Sequence, residues 1–277
     1  MRRALLTVLL IPTIVIGVTS CALPTRPPQP AAPTTPIVTQ PDTPLPAPGP
    51  TSPNVDKLQT IVTQVEQQTG AKIGIATSTE AAGSISTGPA WSTAKVPVAI
   101  AALRNNSAIT QSNMWAAITA SDNQAAASLW ESLGSPTTAA SATDQVLRDG
   151  GDATTHTQSQ VLRPGFSAFG QTQWRLIDQA GFAEHMSTIA GGSDVLVAMS
   201  NIAADQRYGL GTIPGAVFKG GWGPEPENGY VVRQFGLMPG PKPYGIAVMV
   251  VADNYQSGQY ALSLAAKYLQ ARVFVTQ

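Results

Sequence analysis

The sequence predicts an α+β domain: an antiparallel five-stranded sheet flanked by terminal helices, with a helical subdomain inserted in the middle. Three observations predict it. Apolar residues recur at helical spacing after residue 54 and again after residue 257. Strand-like runs fall in two groups, one behind the first helix and one ahead of the last. Between them, from Ser92 to about Arg207, the chain is Ala-rich and reads as mostly helical.

The first helix is expected over 55–68, capped by Asn54. Val55, Leu58, Ile61, Val62 and Val65 share one face, and Gly70 ends it. Strands follow near 72–77 and 84–87. Ser92 then opens an apolar helix over 96–103, with Pro97 in its first turns, where a missing N–H costs little. Ser121-Asp122-Asn123 reads as a capping cluster before a helix over 124–131. Strand candidates at 215–218, 230–238 and 244–252 lead to an amphipathic helix from about 257 to 272.

The ends divide the chain into three parts. Residues 1–20 read as a signal segment: Arg2 and Arg3 form a basic start, residues 4–18 an apolar stretch, and Val18-Thr19-Ser20-Cys21 a lipobox. Cys21 is the only cysteine, which excludes an intramolecular disulfide. It is either an ordinary residue near a cleavage point or a lipidation site, and its position favours the second. The mature chain would then be held on the outer face of a bacterial cell membrane. Residues 21–53 form the lipidated cysteine and a linker. Twelve of the chain's 23 prolines lie in 22–53, so that stretch favours extended polyproline geometry and would reach about 100 Å at most. Residues 54–277 suffice for one large domain with a substantial core.

Composition narrows the chemistry. Sixteen basic and sixteen acidic residues give no net charge, and nothing marks a nucleic-acid surface. With two histidines, His156 and His185, and one cysteine, a zinc hydrolase is not expected. No phosphate-cradling loop is seen, and no cofactor or metal is expected.

Three motifs remain: Ser92-Thr93-Ala94-Lys95, Ser121-Asp122-Asn123 and Lys219-Gly220-Gly221. A serine hydroxyl needs a base within hydrogen-bond reach, and residues i and i+3 at a helix start share a face. Ser92 and Lys95 would thus lie side by side. Burial and a second cation, Lys219, would lower the Lys95 pKa towards the range of a base. Each motif alone is weak. Ser92 also reads as a helix cap, Ser121 as part of a capping cluster, and the glycine pair as a turn.

In this order and setting the motifs resemble those of the class A β-lactamases and the penicillin-binding serine enzymes. Residues 113–130 resemble the Ser-Asp-Asn region, flanking alanines included, and the likeness runs from about residue 54 to the end. It implies a β-lactamase/transpeptidase-like fold with its site in the crevice between sheet and helices. Ser92 corresponds to the acylated nucleophile, Lys95 to the lysine that takes or relays its proton, and Ser121 to the serine that passes a proton to the leaving nitrogen. Asn123 would hold the substrate amide. Lys219 would support Ser121 and attract a substrate carboxylate, with Gly221 beside it in the substrate-binding strand. The N–H of Trp222 would complete an oxyanion hole with that of Ser92. Arg233 aligns with an arginine that binds the substrate carboxylate in some members; its other reading is a solvated strand arginine.

Three departures from that pattern stand out. Gly220 replaces a hydroxyl residue. Ser92 and Ser121 are only 29 residues apart, so an aromatic-bearing insert is missing and the cleft should be more open there. The Ω-loop region, 159–172, holds no acidic residue to activate water for deacylation. The expectation is an envelope serine hydrolase or acyltransferase, anchored through Cys21, that acylates at Ser92 and releases β-lactams poorly. Its ligands would be β-lactams or peptidoglycan-derived peptides, and it would act as a monomer. A non-catalytic binding protein and a weak β-lactamase stay open as alternatives.

Overall fold

The computed structural model describes residues 53–105, 108–225 and 229–273. The expected signal segment, Cys21 and the proline-rich linker lie outside these residues, and so does the side chain of Asn54.

Eight helices and seven strands are described. Helix α1 (Pro53–Thr69) leads into β1 (Lys72–Thr77) and β2 (Ala81–Gly83). β3 (Thr87–Pro89) and a 3-10 turn, Trp91–Ala94, precede α2 (Lys95–Arg104), α3 (Ala108–Thr119), α4 (Asn123–Ser132) and α5 (Pro136–Asp149). After a long loop come β4 (Gln173–Arg175), α6 (Leu176–His185) and α7 (Gly192–Met199). The chain closes with β5 (Val217–Glu225), β6 (Gly229–Met238), β7 (Tyr244–Ala252) and α8 (Tyr255–Val273).

The main sheet has five strands in the order β2-β1-β7-β6-β5, all antiparallel. Its two faces follow from the two-residue period of a strand. Val232 faces α8, where Gly258 lets the helix lie against it. Phe235, three residues on, faces the other way and joins Trp174 and Phe182 of α6 in an aromatic cluster, with centroids 5.3 to 6.5 Å apart. Helices α1 and α8 therefore cover one face and α6 the other. Beyond α6, the buried α2 is the core of the helical part and packs on α3, α4, α5 and α7.

The terminal helices, the five-stranded sheet and the inserted helical part are as the sequence predicts. One strand is not. The expected strand at 84–87 is instead β2, three residues earlier, because Ala81, Ala82 and Gly83 are the residues that pair with β1. Thr87 begins β3, which pairs with β4 in a separate two-stranded sheet. That small sheet delivers the chain to Ser92.

Candidate active site

The approach to Ser92 is strained. Trp91 has φ +50°, a left-handed conformation that is costly for a bulky residue. The turn behind it is fixed by Thr93, whose Oγ1 donates to Ala90 O at 2.5 Å and whose N–H donates to the same oxygen at 3.1 Å. Ser121 is the second strained residue, with φ +56°. It lies between α3 and α4, and Asp122 then caps α4 by accepting from Ala125 N–H at 2.8 Å. The left-handed turn swings the Ser121 carbonyl towards Lys95.

Strand β5 supplies the third edge. A Cβ on Gly221 would lie 2.8 Å from both Ser92 N and Thr93 N and 2.9 Å from Ala90 O, all backbone atoms. Only glycine lets the strand come this close, which sets the backbone around Trp222 alongside the Ser92 N–H. Gly223 does the same for the Trp91 ring, 2.4 Å from its would-be Cβ.

These elements enclose a cleft of about 260 Å3 lined by Ser92, Lys95, Ser121, Asn123 and Trp222 among others. Lys95 Nζ donates to Ser121 O at 2.5 Å and Asn123 Oδ1 at 2.7 Å, with Ser121 Oγ and Asp122 O each at 3.3 Å. Lys219 Nζ reaches Ser121 Oγ at 3.0 Å and Gly220 O at 2.8 Å. Ser121 Oγ thus accepts from both lysines, which occupies its lone pairs and leaves its own O–H free to donate elsewhere. Burial lowers the Lys95 pKa from the usual 10.5 to about 8, against the opposing pull of the Asp122 carboxylate. Lys219 is pushed well below its ordinary value, first by complete burial and then by the charge of Lys95.

The lysine and serine of the first motif do not pair directly. Among the described residues no hydrogen bond joins Ser92 Oγ to Lys95 Nζ, although both line the cleft. The Lys95 amine is instead held by the Ser121 and Asp122 carbonyls, Asn123 Oδ1 and the Ser121 hydroxyl.

Arg233 departs further from expectation. It is neither in the cleft nor solvated. Its guanidinium is fully buried under the small sheet and donates to Gly88 O, Pro89 O, Trp174 O and Gln179 Oε1, at 2.6 to 3.2 Å. With no carboxylate paired to it among the described residues, burial lowers its pKa to about 9. The assignment of Arg233 to substrate binding is therefore corrected: its fork already ties β6 to the strands that carry Ser92.

Two glutamines complete the frame, and neither stands out in the sequence. Gln179, buried in α6, accepts from Arg233 and donates to Thr93 Oγ1 at 3.0 Å. Gln171 pins the loop over the cleft: its Oε1 accepts from Arg163 N–H at 2.7 Å and its Nε2 donates to Ser167 O at 3.1 Å. That loop contributes Gly165, Phe166, Ser167 and Gly170 to the lining. Among the described residues, no Asp or Glu lines the cleft, and neither does any residue between Lys95 and Ser121. A larger cavity of about 490 Å3 shares Trp91 but contains neither Ser92 nor either motif lysine.

No protein-family profile matches the chain, and no curated protein sequence does. Solved structures do. A class A β-lactamase from Bacteroides cellulosilyticus superposes with a TM-score of 0.62 at 14% identity, over 78% of this chain and 98% of that one. A β-lactamase from Sphaerobacter thermophilus gives 0.61 at 16% identity, over 80% and 99%. The chromosome-encoded β-lactamase of Vibrio parahaemolyticus gives 0.57 at 16%, over 77% and 98%. The fold of this chain is that of the serine β-lactamases. More particularly, it is the class A architecture, with residues of the first two motifs lining one cleft and Lys219 of the third buried beside it on Ser121.

Proposed function

We propose that this chain is an envelope serine hydrolase or acyltransferase of the β-lactamase and penicillin-binding type, which forms an acyl-enzyme at Ser92 and deacylates slowly on β-lactams. The observation that carries this reading is Ser121 Oγ held between Lys95 and Lys219 in the cleft that Ser92 lines. Neutral Lys95 takes the Ser92 proton as Oγ bonds to the substrate carbonyl carbon. The negative charge on the carbonyl oxygen faces the Ser92 and Trp222 N–H groups. Collapse breaks the bond to the leaving nitrogen or oxygen, which takes a proton from Ser121; Ser121 is resupplied from Lys95. Asn123 is placed to hold the acyl amide. Release requires water and a base to activate it, and among the described residues the cleft lining offers no carboxylate.

Intact mass spectrometry of the full-length protein in detergent, incubated with a fluorescent penicillin, tests this. The expected result is one penicilloyl adduct that persists for hours and is missing in Ser92→Ala. Rapid probe consumption without an adduct would instead identify an efficient β-lactamase. Neither adduct nor consumption would favour a non-catalytic binding role, which the saturated Lys95 ammonium also suits.

The anchor is a separate proposal. A basic start, an apolar stretch and a lone cysteine in a lipobox support diacylglycerol modification of Cys21. Cells fed an alkyne palmitate analogue are expected to label the parent chain and not Cys21→Ala. Equal labelling of both would exclude Cys21 as the site.

A further inference from the structure

The cleft has a definite charge character, and it bears on which acyl donors fit. Among the described residues, Lys95 is the one Lys or Arg in its lining, and its ammonium is buried and faces four acceptors. Lys219 is completely buried and donates to Ser121 and Gly220. Arg233 is completely buried on other partners. Arg163 lines the neighbouring cavity, where its guanidinium donates to Pro224 O at 2.7 Å and lies over the rings of Trp91 and Phe166. Gly220 adds no hydroxyl to the strand. Beyond Lys95, the described residues that face the cleft are neutral: the Ser121 and Ser167 hydroxyls, the Asn123 amide, and the aromatic walls Trp91, Phe166, Trp222 and Tyr230.

A carboxylate entering such a site loses its water and, among the described residues, meets no free cation, which is costly. An uncharged donor loses little and gains contact with the aromatic walls. We infer that the cleft selects acyl donors without a carboxylate near the leaving group, namely neutral esters and amides over the corresponding free acids. This rests on acylation of Ser92 as proposed above, and it sets the substrate class of that site. The chemistry is unchanged: Ser92 Oγ–acyl bond formed, acyl–nitrogen or acyl–oxygen bond broken, proton delivered to the leaving group.

Benzylpenicillin and its methyl ester form a matched pair that differ only in this charge. The full-length protein in detergent is treated with each, and the second-order rate of adduct formation at Ser92 is read by intact mass. The methyl ester is expected to react faster than the free acid. A free acid that reacts as fast or faster would overturn this inference while leaving Ser92 acylation intact. No adduct from either would overturn the acylation reading and this inference with it. Tyr230→Arg supplies the cation the wall lacks, at a half-buried position on β6. It is expected to shift the ratio at least tenfold towards the free acid; an unchanged ratio would show that wall charge does not set the preference.

Discussion

A Lys95→Ala chain is expected to acylate Ser92 roughly 10²–10⁴-fold more slowly than the parent, the range that a positioned general base contributes. The loss has two sources. The variant lacks the amine that takes the Ser92 proton, and it lacks one of the two donors that orient Ser121 Oγ. Lys95→Arg separates them. Arginine keeps a charged donor but does not give up its proton, so it is expected to hold the turn and fail as a base. Acylation by Lys95→Ala at near the parental rate would remove Lys95 from the mechanism.

The same residue fixes the pH dependence. If the neutral amine is the base, the parental acylation rate rises with pH and levels off, with a midpoint near the Lys95 pKa of about 8. Stability moves in the same direction. The folded pKa lies below the ordinary 10.5, so between about 8 and 10.5 the unfolded chain binds more protons than the folded one. The Lys95 contribution to stability therefore rises with pH through that window. Below it, the whole cost of burying the ammonium is present. Stopped-flow acylation and urea denaturation across pH 6 to 10, on the parent and Lys95→Ala, read both effects.

Arg233→Ala is expected to lower folding stability by a few kcal/mol, roughly the cost of leaving one or two buried acceptors unsatisfied. It would leave Gly88 O, Pro89 O, Trp174 O and Gln179 Oε1 without the donor each now has from the guanidinium. Each buried acceptor left unsatisfied costs roughly 1–3 kcal/mol. Urea denaturation checks this. Gln179→Ala should cost less, and the double variant should fall short of the sum, because the two side chains share one network. A substrate-binding arginine would behave in the opposite way: Arg233→Ala would weaken acylation and leave the denaturation midpoint unchanged.

Five residues of the cleft were legible in the sequence because each sits at or beside a break that local pattern marks. Ser92 and Lys95 precede an apolar helix, Ser121 and Asn123 flank a cap, and Trp222 follows the lysine-glycine motif behind a strand-like run. Local signals also located the terminal helices, three of the five main strands and the start of a fourth. The missing acid over 159–172 was equally a matter of reading. The loop's path over the cleft was not, since it depends on the Gln171 amide holding the backbone of Arg163 and Ser167.

What tertiary structure alone decided were the partners of the buried polar groups. Arg233 reads the same in sequence whether it faces solvent, substrate or protein. Its acceptors lie 54 to 145 residues away, on β3, β4 and α6, and no local pattern encodes that meeting. Lys95 likewise reads as the neighbour of Ser92, yet its ammonium binds carbonyls 26 to 28 residues further on. Helix and strand follow from short-range periodicity, and the sequence by itself determined those. A buried cation takes whichever acceptors the packed chain leaves within reach, and those are fixed only when distant segments close around it.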